Sequence, residues 1–180
     1  FDYGAAYINE LELSSGNTKI TTPLPLGGIG ISRYLMDHLL KEKAEQLGVS
    51  ILDGQAVQSI QSTDENHTVK TSNGNANFDK LILCQGKRSN LDKDLNRKFI
   101  SKRTNWFAVK YHVKMNYPEN RIGLHHFPGG YCGMSRIEND NYCVCYLANS
   151  KYLNSGIKDF EEEYLMKNPY LSYLFKNMDH

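Results

Sequence analysis

The strongest constraint on the fold is an apolar run that stops at a glycine and leads at once into a short helical pattern. The apolar residues 81–83 precede Gln85-Gly86, and apolar residues then recur at helical spacing up to Leu95. A glycine at the end of a strand leaves backbone groups uncovered, and a helix start favours negative charge. The order therefore predicts a buried strand that ends beside an anionic ligand.

A second segment of similar form lies upstream. A helical apolar pattern runs from Tyr34 to Leu47, with Ser32 as the predicted N-cap and Gly48 as the predicted left-handed C-cap. The apolar run 49–52 that follows predicts a strand, which would complete an αβ unit.

Cations stand at both helix starts. Arg33 opens the first helix, where a guanidinium fork suits phosphate oxygens, and Lys87-Arg88 precede the second. The alternative for each of these side chains is a solvated surface cation. For Gly86 the alternative interpretation is an ordinary turn after a strand. For Ser89, capping of the short helix 90–95 is a sufficient explanation.

Composition argues against several classes of protein. The chain has 180 residues, 40% hydrophobic residues and a formal net charge of +1, because 21 Lys and Arg are balanced by 20 Asp and Glu. Such a charge does not favour nucleic acid as a partner. No apolar run approaches the ~20 residues that cross a bilayer, and no signal peptide is recognised. We expect a cytoplasmic protein; the sequence predicts no oligomeric state.

The cysteines do not have the spacing of a structural metal site. Cys143 and Cys145 share one face of a predicted strand, and Cys132 with His125-His126 lies upstream. A zinc site remains an alternative, but Cys-x-Cys lacks the Cys-x-x-Cys spacing of structural zinc sites. We expect reduced, buried or pocket-facing thiols and no metal.

The first half of the chain alternates between strand and turn patterns. Segments 6–13 and 18–22 flank Ser14-Ser15-Gly16-Asn17, which has the composition of a hairpin turn, and residues 23–30 read as a Pro/Gly loop. Strands are also predicted at 56–61, 68–72, 76–78 and 80–83, with a turn at Asn73-Gly74.

The second half predicts a half-buried antiparallel sheet followed by helices. Residues 106–115 alternate cleanly between apolar and polar, and further strands are predicted at 121–127, 131–138 and 142–147. Two helical patterns follow between 157 and 178, the second starting at Pro169. The fold class is therefore α+β.

Three motifs resemble those of flavoprotein hydroxylases, geranylgeranyl reductases and flavin-dependent halogenases, over roughly residues 20 to 150. The Gln85-Gly86 turn resembles their Ala-Asp-Gly-x-x-Ser motif, with Gln85 where that family has Asp. The upstream helix resembles a family segment with matching residues Arg33, Met36-Asp37, Leu40, Ala44, Gly48-Val49, Val57 and Ile60. Pro128-Gly129-Gly130-Tyr131 is similar to a stretch that faces the substrate near the flavin ring.

The resemblance implies part of a protein with the para-hydroxybenzoate hydroxylase fold, an α/β parent. It implies FAD as cofactor, with NAD(P)H as one candidate reductant. Residues 25–95 would belong to the FAD-binding domain, and residues 1–24 and 96–180 to a substrate domain with C-terminal helices. Cofactor contacts are expected from Arg33, Val57, Gln85 and Gly86, and substrate contacts from Gly129, Gly130 and Tyr131; no catalytic residue is assigned.

The expected activity is oxidation or reduction of a hydrophobic or aromatic small molecule. The family's N-terminal Gly-x-Gly-x-x-Gly unit is not found in this chain, so we expect a fragment that is inactive by itself. The helix starts at Gly30 and Gly86 are expected to face one shared anion of the flavin nucleotide. The alternative is a non-catalytic α+β module, in which the sheet over 104–148 holds a ligand or partner and the Gln-Gly turn is only a turn.

Overall fold

The computed structural model describes residues 3–86, 89–101 and 104–179, with no account of the side chains at 100 and 101. The chain divides into a larger unit, residues 1–40 with 105–180, and a smaller unit, residues 41–104. The smaller unit and the predicted FAD-domain range, 25–95, share residues 41–95. The functional assignment of the two parts stays a prediction.

The bounds of the elements follow most of the predicted ones. The strands are β1 Ala6–Ser15, β2 Thr18–Gly30, β3 Val57–Ser62, β4 His67–Thr71, β5 Gly74–Phe78, β6 Trp106–Val113, β7 Arg121–Phe127, β8 Gly130–Arg136 and β9 Tyr142–Asn149. The helices are α1 Arg33–Gln46, α2 Leu91–Asp94, α3 Ile157–Glu163 and α4 Pro169–Lys176, with 3₁₀ turns at Lys98–Ser101, Ser150–Tyr152 and Leu165–Lys167.

The larger unit is built on a six-stranded sheet in the order β2-β1-β7-β8-β9-β6. Most neighbours are antiparallel, but β1 and β7 are parallel, with Leu13 opposite Leu124. The predicted strands between 106 and 149 pair antiparallel, as expected, and the parallel neighbour β1 makes the whole sheet mixed. The orientation of β1 against β7 has no local signal, because no hairpin connects these two strands.

One face of this sheet carries the core. Inward side chains of β6, β8 and β9 pack under α3 and α4, where Phe160 stacks on Tyr146 with ring centroids 5.8 Å apart. The fully buried members of this cluster are Cys132, Val144, Tyr146, Ala148, Leu165 and Leu171. Burying the Val and Leu side chains of this cluster contributes about 1.5–3 kcal/mol each, so the helices and the sheet form one stable layer pair.

Residues 23–30 were predicted as a loop, and this was wrong. They continue β2, which pairs with β1 from Thr18 to Gly30 across a register shift between Ile8 and Glu10. Within the described residues β2 pairs with β1 alone, and an edge strand tolerates Pro23 and Pro25 because their missing N–H groups need not join a second ladder.

The smaller unit contains a three-stranded sheet, β3-β4-β5, whose Asn73-Gly74 turn is as predicted. The predicted strands at 49–52 and 80–83 are wrong, since both segments are described and neither forms a strand. Their apolar side chains are largely exposed, with Val49 at 52%, Leu52 at 67% and Ile82 at 86%. An apolar pattern indicates a tendency to be buried, but a strand also needs a neighbour to complete its hydrogen-bond ladder.

Candidate functional site

The start of α1 is held by a serine cap and a carboxylate. Ser32 Oγ accepts a hydrogen bond from the Leu35 N–H at 3.1 Å, which confirms the predicted N-cap. The Ser32 N–H donates to Glu138 Oε2 at 2.8 Å. Burial alone raises the pKa of Glu138, but the hydrogen bonds from Ser32 outweigh it, and the pKa lies below its ordinary value. The C-cap is also confirmed, since Gly48 has φ +85°.

Arg33 opens the helix with a side chain that is 75% exposed. Its guanidinium lies 3.2 Å from Asp37, one turn along the same helix. An exposed pair of this kind contributes at most about 1 kcal/mol, so little free energy opposes exchange of Asp37 for an anionic ligand. The role of Arg33 as a phosphate contact stays a prediction.

Gly30 is required by the packing of the larger unit itself. A Cβ at this position would lie 1.9 Å from the carbonyl oxygen of Arg136. Any larger residue would therefore push β2 away from the chain at Arg136. Gly30 and Gly86 lie in different units, and the shared anion expected between them stays a prediction.

The Gln85-Gly86 turn makes contacts within the smaller unit. Gln85 Nε2 donates to Oδ1 of Asp92 at 2.9 Å, and Gly86 has φ +78° with open space where a Cβ would stand. Val57, the predicted adenine contact, is 44% exposed at the start of β3. Ser89 Oγ accepts from the Leu91 N–H at 3.2 Å, whereas Lys87 and Arg88 lie outside the described residues.

Pro128 and Gly129 form the tight turn between β7 and β8, and Gly130 and Tyr131 begin β8. Gly129 has φ +89°, and a Cβ there would lie 2.2 Å from the Tyr152 ring. A Cβ on Gly130 would lie 2.2 Å from the Leu147 carbonyl oxygen. The fold therefore requires both glycines, because Tyr152 and strand β9 occupy the space beside them. Contact with a substrate stays a prediction for Gly129, Gly130 and Tyr131.

Tyr131 lies on the sheet face opposite the core. It is 43% exposed, and its ring centroid is 6.4 Å from that of His126 on the neighbouring strand. The same face carries half-buried apolar side chains from the central strands: Leu11, Leu13, Leu124 and Leu147. Towards β6 the same face also carries Lys110 and His112. Its apolar side chains near the Tyr131 phenol and the His126 imidazole suit a hydrophobic or aromatic molecule.

A cavity of about 350 Å³ adjoins the β7–β8 turn. His126, Phe127 and Pro128 line it on one side, and Lys167 with the buried Asn168 lines it on the other. Gly129, Gly130 and Tyr131 do not line this cavity. A smaller cavity of about 190 Å³ shares His126 and adds Leu13 and Ile20.

A buried polar cluster lies on the core face of β1 and β7, and the sequence reasoning missed it. Ser14 Oγ is 2.8 Å from His125 Nδ1, and Asn168 Nδ2 donates to the same hydroxyl at 2.8 Å. Glu12, only 3% exposed, accepts from Arg121 at 2.8 Å and lies 3.9 Å from His125 Nε2. Burial lowers the pKa of His125 to about 4, and the charge of Glu12 only partly offsets this.

This cluster contains serine, histidine and a carboxylate, but it does not suit acyl transfer. Ser14 is 2% exposed and His125 is 0% exposed, so no substrate reaches the hydroxyl. The cluster joins β1, β7 and the start of α4. His125 and His126 point to opposite faces, as predicted, because they are neighbours on one strand.

The cysteines are free, as far as the described residues extend. Burial raises the pKa of the Cys132 thiol far above its ordinary value, which keeps this thiol protonated. Among the described residues, no group of three or more His, Cys, Asp or Glu side chains is placed to hold a metal ion. The expected absence of a metal stays a prediction.

Solved structures of flavin-dependent proteins are similar to this chain. A flavoprotein/dehydrogenase from Cytophaga hutchinsonii matches with a TM-score of 0.77 and 16% identity, over 98% of this chain and 48% of that protein. The halogenase PltM in complex with phloroglucinol and FAD matches with a TM-score of 0.79 and 15% identity, over 98% and 42%. The flavin-dependent halogenase CmlS matches with a TM-score of 0.73 and 17% identity, over 98% and 36%.

These similarities establish the fold. The chain shares the fold of part of these three proteins, which confirms the predicted resemblance at the level of the fold, and it spans less than half the length of each of them. No protein-family model and no curated protein sequence matches it. None of the described helices is long and apolar enough to span a bilayer; a cytoplasmic location stays a prediction.

Proposed function

We propose that the protein containing this chain is an FAD-dependent oxidoreductase acting on a hydrophobic or aromatic small molecule. The observation that carries this proposal is the similarity of 98% of the chain to PltM, whose solved structure contains phloroglucinol and FAD. FAD would supply the redox chemistry, and this chain would contribute position and electrostatics.

The residues of the chain suit that cofactor. The exposed guanidinium of Arg33 would hold a phosphate, and Val57 would contact the adenine ring. Gly86 leaves open space beside its backbone, and Gln85 has a buried carbonyl oxygen without a partner among the described residues. The larger unit by itself offers a cation for a phosphate, and the smaller unit by itself offers the apolar side chain of Val57 for the adenine ring.

The substrate would lie on the half-buried face of the larger sheet, beside Gly129, Gly130 and Tyr131. The Tyr131 hydroxyl and the His126 imidazole would orient a polar substituent, and Leu13 and Leu124 would contact its apolar part. Reduction, hydroxylation and halogenation are all compatible with such a face. We propose a small molecule as partner and no nucleic acid, consistent with the net charge of +1.

The deciding experiment is FAD retention by the complete gene product. A purified protein that absorbs at ~450 nm, as expected for bound flavin, supports the proposal. Arg33→Ala should weaken FAD binding by about tenfold, the loss of one charge-assisted contact. Asp37→Ala is the matched control, because it breaks the same ion pair and leaves the guanidinium in place. A colourless protein that ignores added FAD would rule the proposal out.

The second candidate is a non-catalytic binding module. The observation that favours it is that Gly129 and Gly130 are already required by Tyr152 and Leu147, so these glycines need no flavin to explain them. Such a module would bind an apolar ligand on the Tyr131 face, and FAD would not affect that binding.

If the complete protein binds flavin, addition of NAD(P)H or halide to the flavin-loaded protein, with substrate present, would separate the oxidoreductase reactions from one another.

A further inference from the structure

Two adjoining cavities lie at the end of β1 and β7 in the larger unit. One, of about 350 Å³, has Lys167 in its lining, and the other, of about 190 Å³, is lined by Leu13 and Ile20; we call them the Lys167 cavity and the Ile20 cavity. Ser15 and His126 line both cavities. Because these two residues are direct neighbours in the parallel pair of strands, the cavities meet there and have room for one molecule.

The Ile20 cavity suits a small apolar group. Leu13 and Ile20 stand opposite each other on β1 and β2, and Ile20 is 55% exposed, so a ligand reaches this side chain from solvent. A cavity of roughly 150 Å³ with an apolar lining accepts benzene. At about 190 Å³, the Ile20 cavity therefore accommodates a single ring or an alkyl group of similar size.

The Lys167 cavity suits an anionic group. Lys167 is exposed at the end of a 3₁₀ turn, and its Nζ lies 5.2 Å from the centroid of the Tyr164 ring. Within the described residues, Lys167 makes no ion pair and the lining of its cavity contains no carboxylate. His126 adds a second donor, because even a neutral imidazole carries one N–H. An anion that enters this cavity therefore displaces no partner of the lysine.

Asn168 fixes the wall of the Lys167 cavity. This side chain is 1% exposed, and its Nδ2 donates to the His126 carbonyl at 2.9 Å and to Ser14 Oγ at 2.8 Å. Its Oδ1 accepts from the Tyr170 N–H at 2.9 Å. Because Asn168 directly follows Lys167, these hydrogen bonds join the backbone beside the lysine to the end of β7. The two donors for an anion are thus carried on backbones held together before a ligand arrives, which lowers the cost of binding.

We infer that the two cavities together bind a compact hydrophobic acid, with its apolar body in the Ile20 cavity and its anionic group between Lys167 and His126. In taking this acid as the substrate, the inference rests on the proposed function, but binding of the acid needs no flavin. The Tyr131 ring centroid is 6.4 Å from that of His126. The acid would therefore lie at the end of the sheet face that we assign to the substrate.

The test compares acids with their amides in the complete gene product. The probes are phenylacetic acid and hydrocinnamic acid, each beside its primary amide, which keeps the ring and removes the charge. Isothermal titration calorimetry measures the affinities. We expect at least one acid to bind about tenfold more tightly than its amide, the contribution of one charge-assisted hydrogen bond. Lys167→Gln should abolish this preference, and Lys167→Arg should keep it.

Two further variants are matched controls, and thermal unfolding verifies that each variant folds. Lys151 also lies over a tyrosine ring, 4.7 Å from the Tyr152 centroid, and lines neither cavity, so Lys151→Gln should leave the preference unchanged. Ile20→Gln should weaken acid and amide alike, by about fivefold or more. Ile29, on the same strand, is 53% exposed and lines neither cavity, so Ile29→Gln should weaken neither.

Equal affinity of acid and amide in the wild-type protein would overturn the inference, because the charge would then not be recognised. An equal loss in Lys151→Gln would overturn it as a general charge effect, and so would a folded protein that binds none of the probes. A protein that retains FAD and binds no acid overturns this inference alone. A protein that binds the acid through Lys167 and ignores FAD supports the site and ends the proposed function.

Discussion

The hydroxyl oxygen of Ser14 lies 2.8 Å from Nδ1 of His125, across the parallel pair β1 and β7. Asn168 donates to that same oxygen, and the direction of the hydrogen bond between Ser14 and His125 depends on the imidazole tautomer. Burial lowers the pKa of His125 to about 4, so this imidazole, which is 0% exposed, is neutral at pH 7. A buried neutral histidine makes the stability of the larger unit depend on pH.

Acidification should destabilise the protein through His125. Its pKa is lowered by burial to about 4, whereas an unfolded histidine titrates near 6.5, so the unfolded state binds the proton first. The stabilisation is complete above about pH 6.5 and is lost as the pH falls towards about 4, a change of roughly 3 kcal/mol. Urea unfolding across this pH range measures the change in the free energy of unfolding. His125→Gln should flatten the dependence, and His126→Gln, an exposed neighbour, should keep it; equal slopes in both variants would contradict the assignment.

Asn168 should contribute more to stability than an ordinary helix cap. Its Oδ1 accepts from the N–H groups of Tyr170 and Leu171, and its Nδ2 donates to Ser14 and to the His126 carbonyl. Asn168→Ala removes the cap and leaves buried acceptors unpaired, which should cost about 2–4 kcal/mol.

The comparison with an ordinary cap is made by chemical denaturation of Asn168→Ala and of Asn149→Ala, which measures the free energy of unfolding of each variant. Asn149 caps only the 3₁₀ turn at Ser150–Tyr152, through the Lys151 N–H, so its replacement should cost about 1 kcal/mol or less. Equal losses for the two asparagines would show that the contacts of Asn168 with Ser14 and His126 contribute nothing.

Gly129→Ala should be severely destabilising. The new Cβ would meet the Tyr152 ring at 2.2 Å, and the backbone has φ +89°, so steric overlap adds to the strain of about 1–2 kcal/mol for a left-handed residue. Gly54→Ala is the control, because φ is +70° there and nothing lies within 4 Å. Thermal unfolding should separate the two variants by several degrees, with Gly54→Ala the milder. Matching melting temperatures would mean that Tyr152 moves aside freely.

Arg121 should matter for stability far more than Arg33. Arg121 binds Glu12, whose side chain is 4% exposed, and Glu10. Arg121→Met leaves the Glu12 carboxylate with Lys19 as its remaining cation, 3.3 Å away, and should cost about 2–4 kcal/mol. Arg33→Met disrupts only an exposed pair and should cost less than about 1 kcal/mol. The free energies of unfolding of both variants measure the difference, and a large loss for Arg33→Met would contradict it.

Local signals in the sequence predicted the helix ends and the hairpins correctly. Ser32, Gly48 and Asn168-Pro169 act through neighbouring backbone groups, so a short stretch of sequence contains the whole interaction. The same is true of the Asn73-Gly74 turn. The predictions of strands at 49–52 and 80–83 were wrong for a different reason. A strand needs hydrogen bonds to a neighbouring strand, and an apolar pattern carries no information about that neighbour.

The buried polar cluster was not predicted because side chains alternate between the two faces of a strand, and the polar face was expected to be exposed. Along β1, Glu12 and Ser14 alternate with Leu11 and Leu13, and this pattern normally places the polar side towards solvent. In the structure the polar side is the more deeply buried one, because Arg121, His125 and Asn168 supply partners from distant parts of the chain. The glycines at 129 and 130 were singled out correctly as special positions, but Tyr152 and Leu147 explain them without a ligand.

The parallel pairing of β1 with β7 also has a consequence for folding during synthesis. Ser14 and His125 are 111 positions apart, so the whole smaller unit is synthesised before β1 meets its partner. Until then the hairpin of β1 and β2 has no second neighbour, and closing so large a loop is slow. We therefore expect residues 41–104 to be able to acquire structure on the ribosome first, with the six-stranded sheet assembling as a late and rate-limiting step.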